Sequence, residues 1–438
     1  MSRIRRHVRL LAFLPLVLAA ACGRDAKDGW KGTIEKGPGG VTLVRNPERG
    51  AWREGEGWTA EEDLRIGIAE GTGPTLFGDV AAVEVDSAGR IWVLDRQAKE
   101  LRVFDARGKY VRTVGREGGG PGEFRDPIGL AWAPDGTLWV ADPAAGRYTV
   151  FDTAGIFIDS HPRLVAGYSL PWNGGFGPDG LLYEVATVMT APGDSRNVLL
   201  RFDAAVEPLD TIRLSTHHGE QFELRRGERM MAAGVPFSPG QVMALSPGQV
   251  MALDPRGFLW MGVTDRYRLA QMPLGGDTVR IVERQAAPVP VTAAERAGAL
   301  ARMKWFTDQG GRIDAGRIPA HKPAYEQVIV DPDGGIWVRP ALPAGYAGAA
   351  FDVFDGEGRY QGRLAVPGGM DAYPTPVIRG GALYGVARDS LDVPQVVRVR
   401  IQGGDAKAER AGGLAAYIVP GAGGAARVEV RRLPTALR

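Results

Sequence analysis

Residues 64–110 fall on residues 111–157 at a constant offset of 47 without a gap, and sixteen of the 47 positions are identical. Unrelated segments of ordinary composition would share about three. A period of this length marks a repeat architecture, in which each unit buries its apolar faces only against its neighbours. The repeat constrains the fold before any residue is read for chemistry.

Each unit is anchored by a turn containing Gly, followed by apolar–aromatic–apolar. The anchor reads Asp86-Ser-Ala-Gly-Arg-Ile-Trp92, Pro134-Asp-Gly-Thr-Leu-Trp139 and Pro178-Asp-Gly-Leu-Leu-Tyr183. It returns as Asp254-Pro-Arg-Gly-Phe-Leu-Trp260, Asp331-Pro-Asp-Gly-Gly-Ile-Trp337 and Arg379-Gly-Gly-Ala-Leu-Tyr384. Such turns need positive φ, which Gly supplies without steric cost. The aromatics are spaced 47, 44, 77, 77 and 47, so there are six units and two carry extra residues. In the first unit, alternation predicts strands at 81–85, 90–94, 101–104 and 110–114. Four short strands in each of six repeats predict an all-β chain, a six-bladed β-propeller of four-stranded antiparallel blades.

The phase of the repeat predicts how the ring closes. Leu64-Arg-Ile-Gly67 aligns with Val111-Arg-Thr-Val114, a fourth strand, yet precedes the first complete unit, while the last unit has three clear strands. The N-terminal strand should therefore complete the last blade. Val428-Glu-Val-Arg-Arg-Leu433 also alternates and is a competing closer. The expected organisation is a signal at 1–21, a tether at 22–62, the propeller at 63–402 and a Gly/Ala-rich, poorly ordered tail at 403–438. Insertions at 215–247 and 285–324 follow fourth strands, so both should rise on one face. The second holds a capping-box pattern at Thr292–Glu295, and Glu220–Met231 in the first also reads as helical. The word Ser-Pro-Gly-Gln-Val-Met-Ala-Leu is written twice over 238–253, and its second copy should be the first strand of blade four.

The N-terminus reads as a processing signal. Arg3, Arg5, Arg6 and Arg9 precede an apolar run, Leu10 to Ala21, too short to span a bilayer. The run ends at Cys22, the only cysteine. A plain secretory signal is one reading; the other is a resemblance to bacterial lipoprotein signals, with Cys22 as the lipidated residue. Two acyl chains or more hold a globular body on a membrane without a span. By the same resemblance, Gly23 after the cysteine points to the outer membrane. Removing the four signal arginines takes the formal charge from +2 to −2. That balance argues against nucleic acid as a partner and leaves the lipid anchor as the link to the membrane.

Phrases such as Asp126-Pro-Ile-Gly-Leu130, Leu138-Trp-Val-Ala-Asp142 and Tyr148-Thr-Val-Phe-Asp152 resemble the NHL-like class of six-bladed propellers. Gly115-Arg-Glu-Gly-Gly-Gly-Pro-Gly-Glu-Phe124 is similar to a linker phrase of bacterial propeller lipoproteins. The resemblance covers about 63–401 and implies the fold. The class holds binding platforms and also lactonases and lyases with a channel metal, so it leaves the activity open.

A channel Ca²⁺ needs six to eight oxygens. The inward positions Glu84, Trp132, Phe176, Met251, Ile329 and Val377 offer one carboxylate, with Glu326 a further candidate. No metal site, cofactor or catalytic constellation is expected, and His161, His217, His218 and His321 lack ligand spacing. Gly118–Gly122 reads as a blade linker rather than a phosphate cradle, since no helix follows it. Blade-to-blade loops and second-to-third-strand loops share one face. It should carry Arg116, Glu117, Arg125, Asp126 and Arg147, with Arg226, Trp305 and His321 brought by the insertions. Arginine forks beside aromatics suit a protein, peptide or glycan partner. Asp95 and Asp142 in the same turns are expected to bond to backbone instead. A lactonase-like hydrolase or lyase at the channel mouth is the alternative.

Overall fold

The computed structural model describes residues 29–165, 172, 174–191, 194–214, 220–227, 229–238, 249–253, 256–403, 414–420 and 426–432. The segment read as a signal, with Cys22, lies outside these residues, as do His217 and His218.

Six antiparallel blades are arranged as a propeller, five of them four-stranded sheets and the fourth widened to six strands. Blade one is Val80–Val85, Ile91–Asp95, Glu100–Phe104 and Tyr110–Val114, ordered from the inner strand outwards. Blade two runs from Gly129–Trp132 to Phe157–Pro162, and blade three from Gly174–Phe176 to Pro208–Arg213. Blade four runs from Gln249–Leu253, in the second copy of the repeated word, to Arg280–Arg284. Blade five runs from Tyr325–Val330 to Tyr360–Val366. Blade six has three strands of its own, Val377–Arg379, Ala382–Arg388 and Pro394–Gln402, and its fourth is Thr59–Ile66. The N-terminal strand thus closes the ring in the register the repeat implied, with Arg65 opposite Val397. Val428 and its neighbours pair instead with Leu414–Pro420 in a separate hairpin, inside the segment read as a tail.

The anchor motif has a physical role beyond its turn. Asp86 accepts the Trp92 indole N–H at 3.0 Å, and Asp331 accepts that of Trp337 at 2.9 Å. Asp179 accepts the Tyr183 hydroxyl at 2.7 Å. The turn carboxylate therefore satisfies the polar tip of an aromatic that is otherwise fully in the core, a group costly to bury unpaired. Trp92, Trp260 and Trp337 are all at most 1% exposed. Gly89 in the first of these turns has φ 77°, a left-handed conformation that a Cβ would strain.

Two expectations are corrected. The described part of the segment expected as a tether at 22–62, residues 29–62, is not free: Thr33–Lys36 and Thr42–Asn46 add two strands outside blade four, the second parallel to Arg280–Arg284. The chain then crosses blade five, where Ala51 and Trp52 donate to the Tyr360 and Gln361 carbonyls, before closing blade six. This belt has its own apolar contacts: Val44 is fully buried, and Trp52, Trp58 and Trp337 stand in a row with centroids 5.3 and 5.6 Å apart. Secondly, Glu220–Met231 contains no helix. Gln221–Arg226 and Arg229–Gly234 form a hairpin. Phe222 is buried two residues before half-buried Leu224, and Ala233 two before Val235, a period of two that suits strands. Gly227, at φ 60°, makes the turn that a helix would not allow.

The second insertion is helical at Ala293–Arg302 and Lys304–Asp308, opened by the capping box: Thr292 Oγ1 accepts the Glu295 N–H at 3.2 Å and Glu295 accepts the Thr292 N–H at 3.0 Å. Both insertions share one small core of Phe222, Ala233, Val235, Met303, Phe306 and Ile318. They are therefore one satellite body on one face of the ring.

Candidate functional site

The residues singled out from the sequence fall into three places. Arg116, Glu117, Arg125 and Asp126 lie in the connection between blades one and two. Arg116 is 79% exposed and pairs with Glu123 at 2.8 Å, Glu117 pairs with Lys99, and Asp126 takes Arg96 at 2.6 Å. Arg147 reaches back into the same connection and donates to the Gly119, Gly120 and Glu123 carbonyls. Expected among the ligand-binding residues, it is instead spent on pinning the glycine loop. Asp142 accepts the N–H groups of Arg125, Asp126 and Ala145, and Asp95 does the same for Gly78, Asp79 and Ala98. Every pair is 47 residues apart, so these carboxylates belong to the repeat and shape the loops.

Arg226 and Trp305 sit on the satellite. Arg226 donates to the Gln309 carbonyl and Trp305 is 51% exposed, edge-on to Phe306. His321 lies elsewhere, in a cleft between blades four and five.

That cleft, of about 1010 Å³, opens on the face that carries the insertions. One wall is the connection from Arg284 to Pro290 and the other is the turn at Pro340–Pro343, with Asp265–Tyr267 and His321–Ala324 at the ends. At its base stands a polar cluster that sequence reasoning missed. Asp352, on the third strand of blade five, is fully buried. It accepts from Arg363 at 2.8 and 3.2 Å, Arg284 at 3.2 Å, the Tyr267 hydroxyl at 2.9 Å and the Tyr360 hydroxyl at 3.1 Å. Burial pushes the Tyr267 and Tyr360 hydroxyls up, and the adjacent carboxylate adds to this, so both stay neutral donors. Lys322 at the rim holds Glu295, whose carboxyl is pulled down to about 2, chiefly by that hydrogen bond.

The channel offers less. Glu84 on the inner strand of blade one has its carboxyl raised to about 7 by burial, against the pull of the Val85 N–H and Arg379. Glu326 is also raised by burial, with Arg339 at 3.5 Å. No group of three or more His, Asp or Glu that could hold a metal occurs among the described residues.

Residues 70–130 match a family model described as 6-bladed beta-propeller (DUF5128). The chain is thus a six-bladed β-propeller by its strand order and by this match. No curated protein matches it. Among solved structures it is similar to a Bacteroides fragilis protein taken to be exported, at 11% identity and TM-score 0.48, covering 82% of this chain and 100% of that one. It is similar also to a virginiamycin B lyase of Staphylococcus aureus, at 13% identity and TM-score 0.39, covering 78% and 99%. A gluconolactonase of Xanthomonas campestris gives 11% identity and TM-score 0.37, covering 77% and 98%. Likenesses of this order carry no argument about activity. No helix among the described residues is long and apolar enough to cross a membrane.

Proposed function

We propose that this chain is a lipid-anchored binding module of the cell envelope, holding a protein, peptide or glycan partner on the face that carries the satellite. The observation that carries the reading is the cleft between blades four and five, a preformed concavity beside an insertion with its own core. Ligand sites are generally concave, largely preformed and orientated by a few polar groups. Arg116 and Arg125 in the connection between blades one and two stand exposed on the same face. The anchor is Cys22, in the lipoprotein reading of the signal. Only ten residues separate it from the first strand of the belt at Thr33, a reach of at most about 35 Å. The rim of blade four would then face the membrane, in the outer membrane by the reading of Gly23.

The test is capture from native envelope by an immobilised body of residues 23–438. Arg116→Ala with Arg125→Ala, and separately Trp305→Ala with Arg226→Ala, are expected to fold and to weaken capture of the same partner. Arg107→Ala with Lys109→Ala, in a turn of the opposite face, is expected to leave it unchanged. Equal capture by all three would end the reading.

One observation favours a second reading. A carboxyl at about 7, Glu84, faces the channel near Arg379, the type of group that serves as a general acid or base. A hydrolase or lyase at the channel mouth would lose turnover in Glu84→Gln while retaining partner capture.

A further inference from the structure

We infer that the base of the cleft between blades four and five binds a carboxylate carried on an apolar body. This rests on the binding reading and names the chemistry of its ligand. The inference starts from an imbalance of charge. Two guanidinium groups, Arg284 and Arg363, converge on the single carboxylate of Asp352. Arg284 is 6% exposed and Asp352 is fully buried, so solvent screens that pair little, and the second guanidinium, Arg363, meets the cleft at 38% exposure.

The interface between blades two and three supplies the comparison. There Arg163 pairs with buried Glu184, which also takes the Tyr148 hydroxyl. Arg163 and Arg284 both stand at the end of an outer strand, and each meets a buried carboxylate of the next blade beside a tyrosine. At the first interface the charges match one to one. At the second an additional arginine has been placed on the outer strand of blade five, and the site opens into a cleft.

The arginines are held in a geometry suited to an anion. Arg284 packs over the Tyr360 ring at 4.1 Å and the Tyr267 ring at 5.3 Å, and its Nη2 donates to the Glu48 carbonyl at 3.0 Å. Its Nε is buried and has no hydrogen-bond partner among the described residues. Arg363 spends Nε and Nη2 on Asp352 and is 38% exposed towards the cleft, with Nη1 left to donate. Fixed guanidinium forks recognise carboxylates with little further loss of freedom.

Two of the remaining cations near the cleft are matched locally. Arg266 is beside Asp265 at 3.6 Å, and Lys322 holds Glu295. Glu48 turns its carbonyl to Arg284 and is exposed at the rim. The walls are Pro288, Val289, Pro290, Pro323, Pro340 and Pro343, which are apolar and, proline having no N–H, poor in donors. A ligand that fits both parts has one acid group for the base and an apolar body for the walls. Two sources share this chemistry: a free organic acid, and the C-terminus of an apolar peptide.

Titration calorimetry on residues 23–438 tests it with four probes: decanoate, decanamide, an apolar tetrapeptide of leucine and alanine as its free acid, and the same peptide as its amide. The acids are expected to bind at least tenfold more tightly than their amides. Arg363→Gln should weaken acid binding tenfold or more and Arg363→Lys should restore part of it, while Arg107→Gln, in a turn of the opposite face, should have no effect. Binding of decanoate without the peptide acid assigns the site to a free organic acid; the reverse assigns it to a peptide terminus. No binding by either acid, equal binding of acid and amide, or an unchanged affinity in Arg363→Gln would overturn the inference. If envelope capture then persisted in Arg363→Gln, the binding module would stand and only the carboxylate would fall.

Discussion

The side-chain oxygen of Asn46 accepts the backbone N–H of Tyr360 at 2.7 Å, joining residues 314 positions apart. The same side chain accepts from the Trp30 indole at 2.8 Å and donates to the carbonyls of Glu283 at 3.1 Å and Gly358 at 2.9 Å. One buried amide thus fills its donor and acceptor positions with groups from the belt, blade four and blade five. The belt carries Glu48, whose carbonyl holds Arg284, so the position of the cleft base depends on this clasp.

Asn46→Leu is expected to lower stability by about 2–4 kcal/mol, since it strands two carbonyls and two N–H groups in the interior. Chemical denaturation measures this. A change below about 0.5 kcal/mol would mean that the belt contributes nothing to the ring. Asn46→Asp should also destabilise, because a carboxylate cannot donate to Glu283 and Gly358.

The Asp–Trp lock carries a pH dependence. Burial raises the Asp86 carboxyl, but hydrogen bonds from the Trp92 indole and from Arg90 outweigh it and hold the group below 3.8 in the folded state. Its stabilisation is therefore present above the unfolded value and is lost as pH falls through the folded one. Asp86→Asn should flatten the loss of stability expected of the native chain below pH 4. An identical acid limb in both proteins would remove this residue from the account.

Glu84 works in the opposite sense. Its folded carboxyl lies at about 7, above 4.5, so its contribution is full at low pH and is lost as pH rises from 4.5 through 7. Glu84→Gln is expected to raise the melting temperature at pH 8 relative to the native chain and to erase the decline between pH 5 and 8. A parallel decline in the variant would contradict the assignment.

Removing Arg147 should free the glycine loop. The side chain holds three carbonyls of the connection between blades one and two, and Arg116 and Arg125 are carried on that connection. Arg147→Ala is expected to admit limited proteolysis between Gly118 and Gly122 while the rest of the ring resists. Unaltered digestion would show that the loop is held by other contacts.

The ring was legible in the sequence because its signals are local. A turn residue, an aromatic and alternating strands recur at a fixed offset, and the phase of that offset placed Leu64 and Ile66 on blade six before any contact was known. The belt was not legible. Thr33–Lys36 is fully exposed and short, and its partner Thr42–Asn46 pairs in parallel with a strand more than 230 residues away, so no local pattern announces it. The hairpin at 221–234 was misread because glutamate and arginine favour helix in isolation, whereas packing on Phe306 selected strands. The cleft base eluded the sequence for a related reason. Arg284, Asp352 and Arg363 are each unremarkable in their own strands and meet only when two blades pack. Arg116 lies 47 residues before Arg163, yet one is exposed and the other buried, so even within the repeat, position does not determine fate.

The central claim is closure of six sheets by the N-terminal strand, because the faces, the belt and the cleft all follow from it. Asp63 in that strand takes Arg398 at 2.7 and 3.0 Å, and Arg398 also donates to the Ala106 carbonyl of blade one at 2.7 Å. The direct measurement is thermal unfolding of two truncations, one beginning at residue 67 and one ending at residue 403. The first is expected to melt at least 10 °C below the full body and the second within about 2 °C of it. A stable first truncation with an unstable second would hand closure to the C-terminal hairpin and contradict the arrangement described.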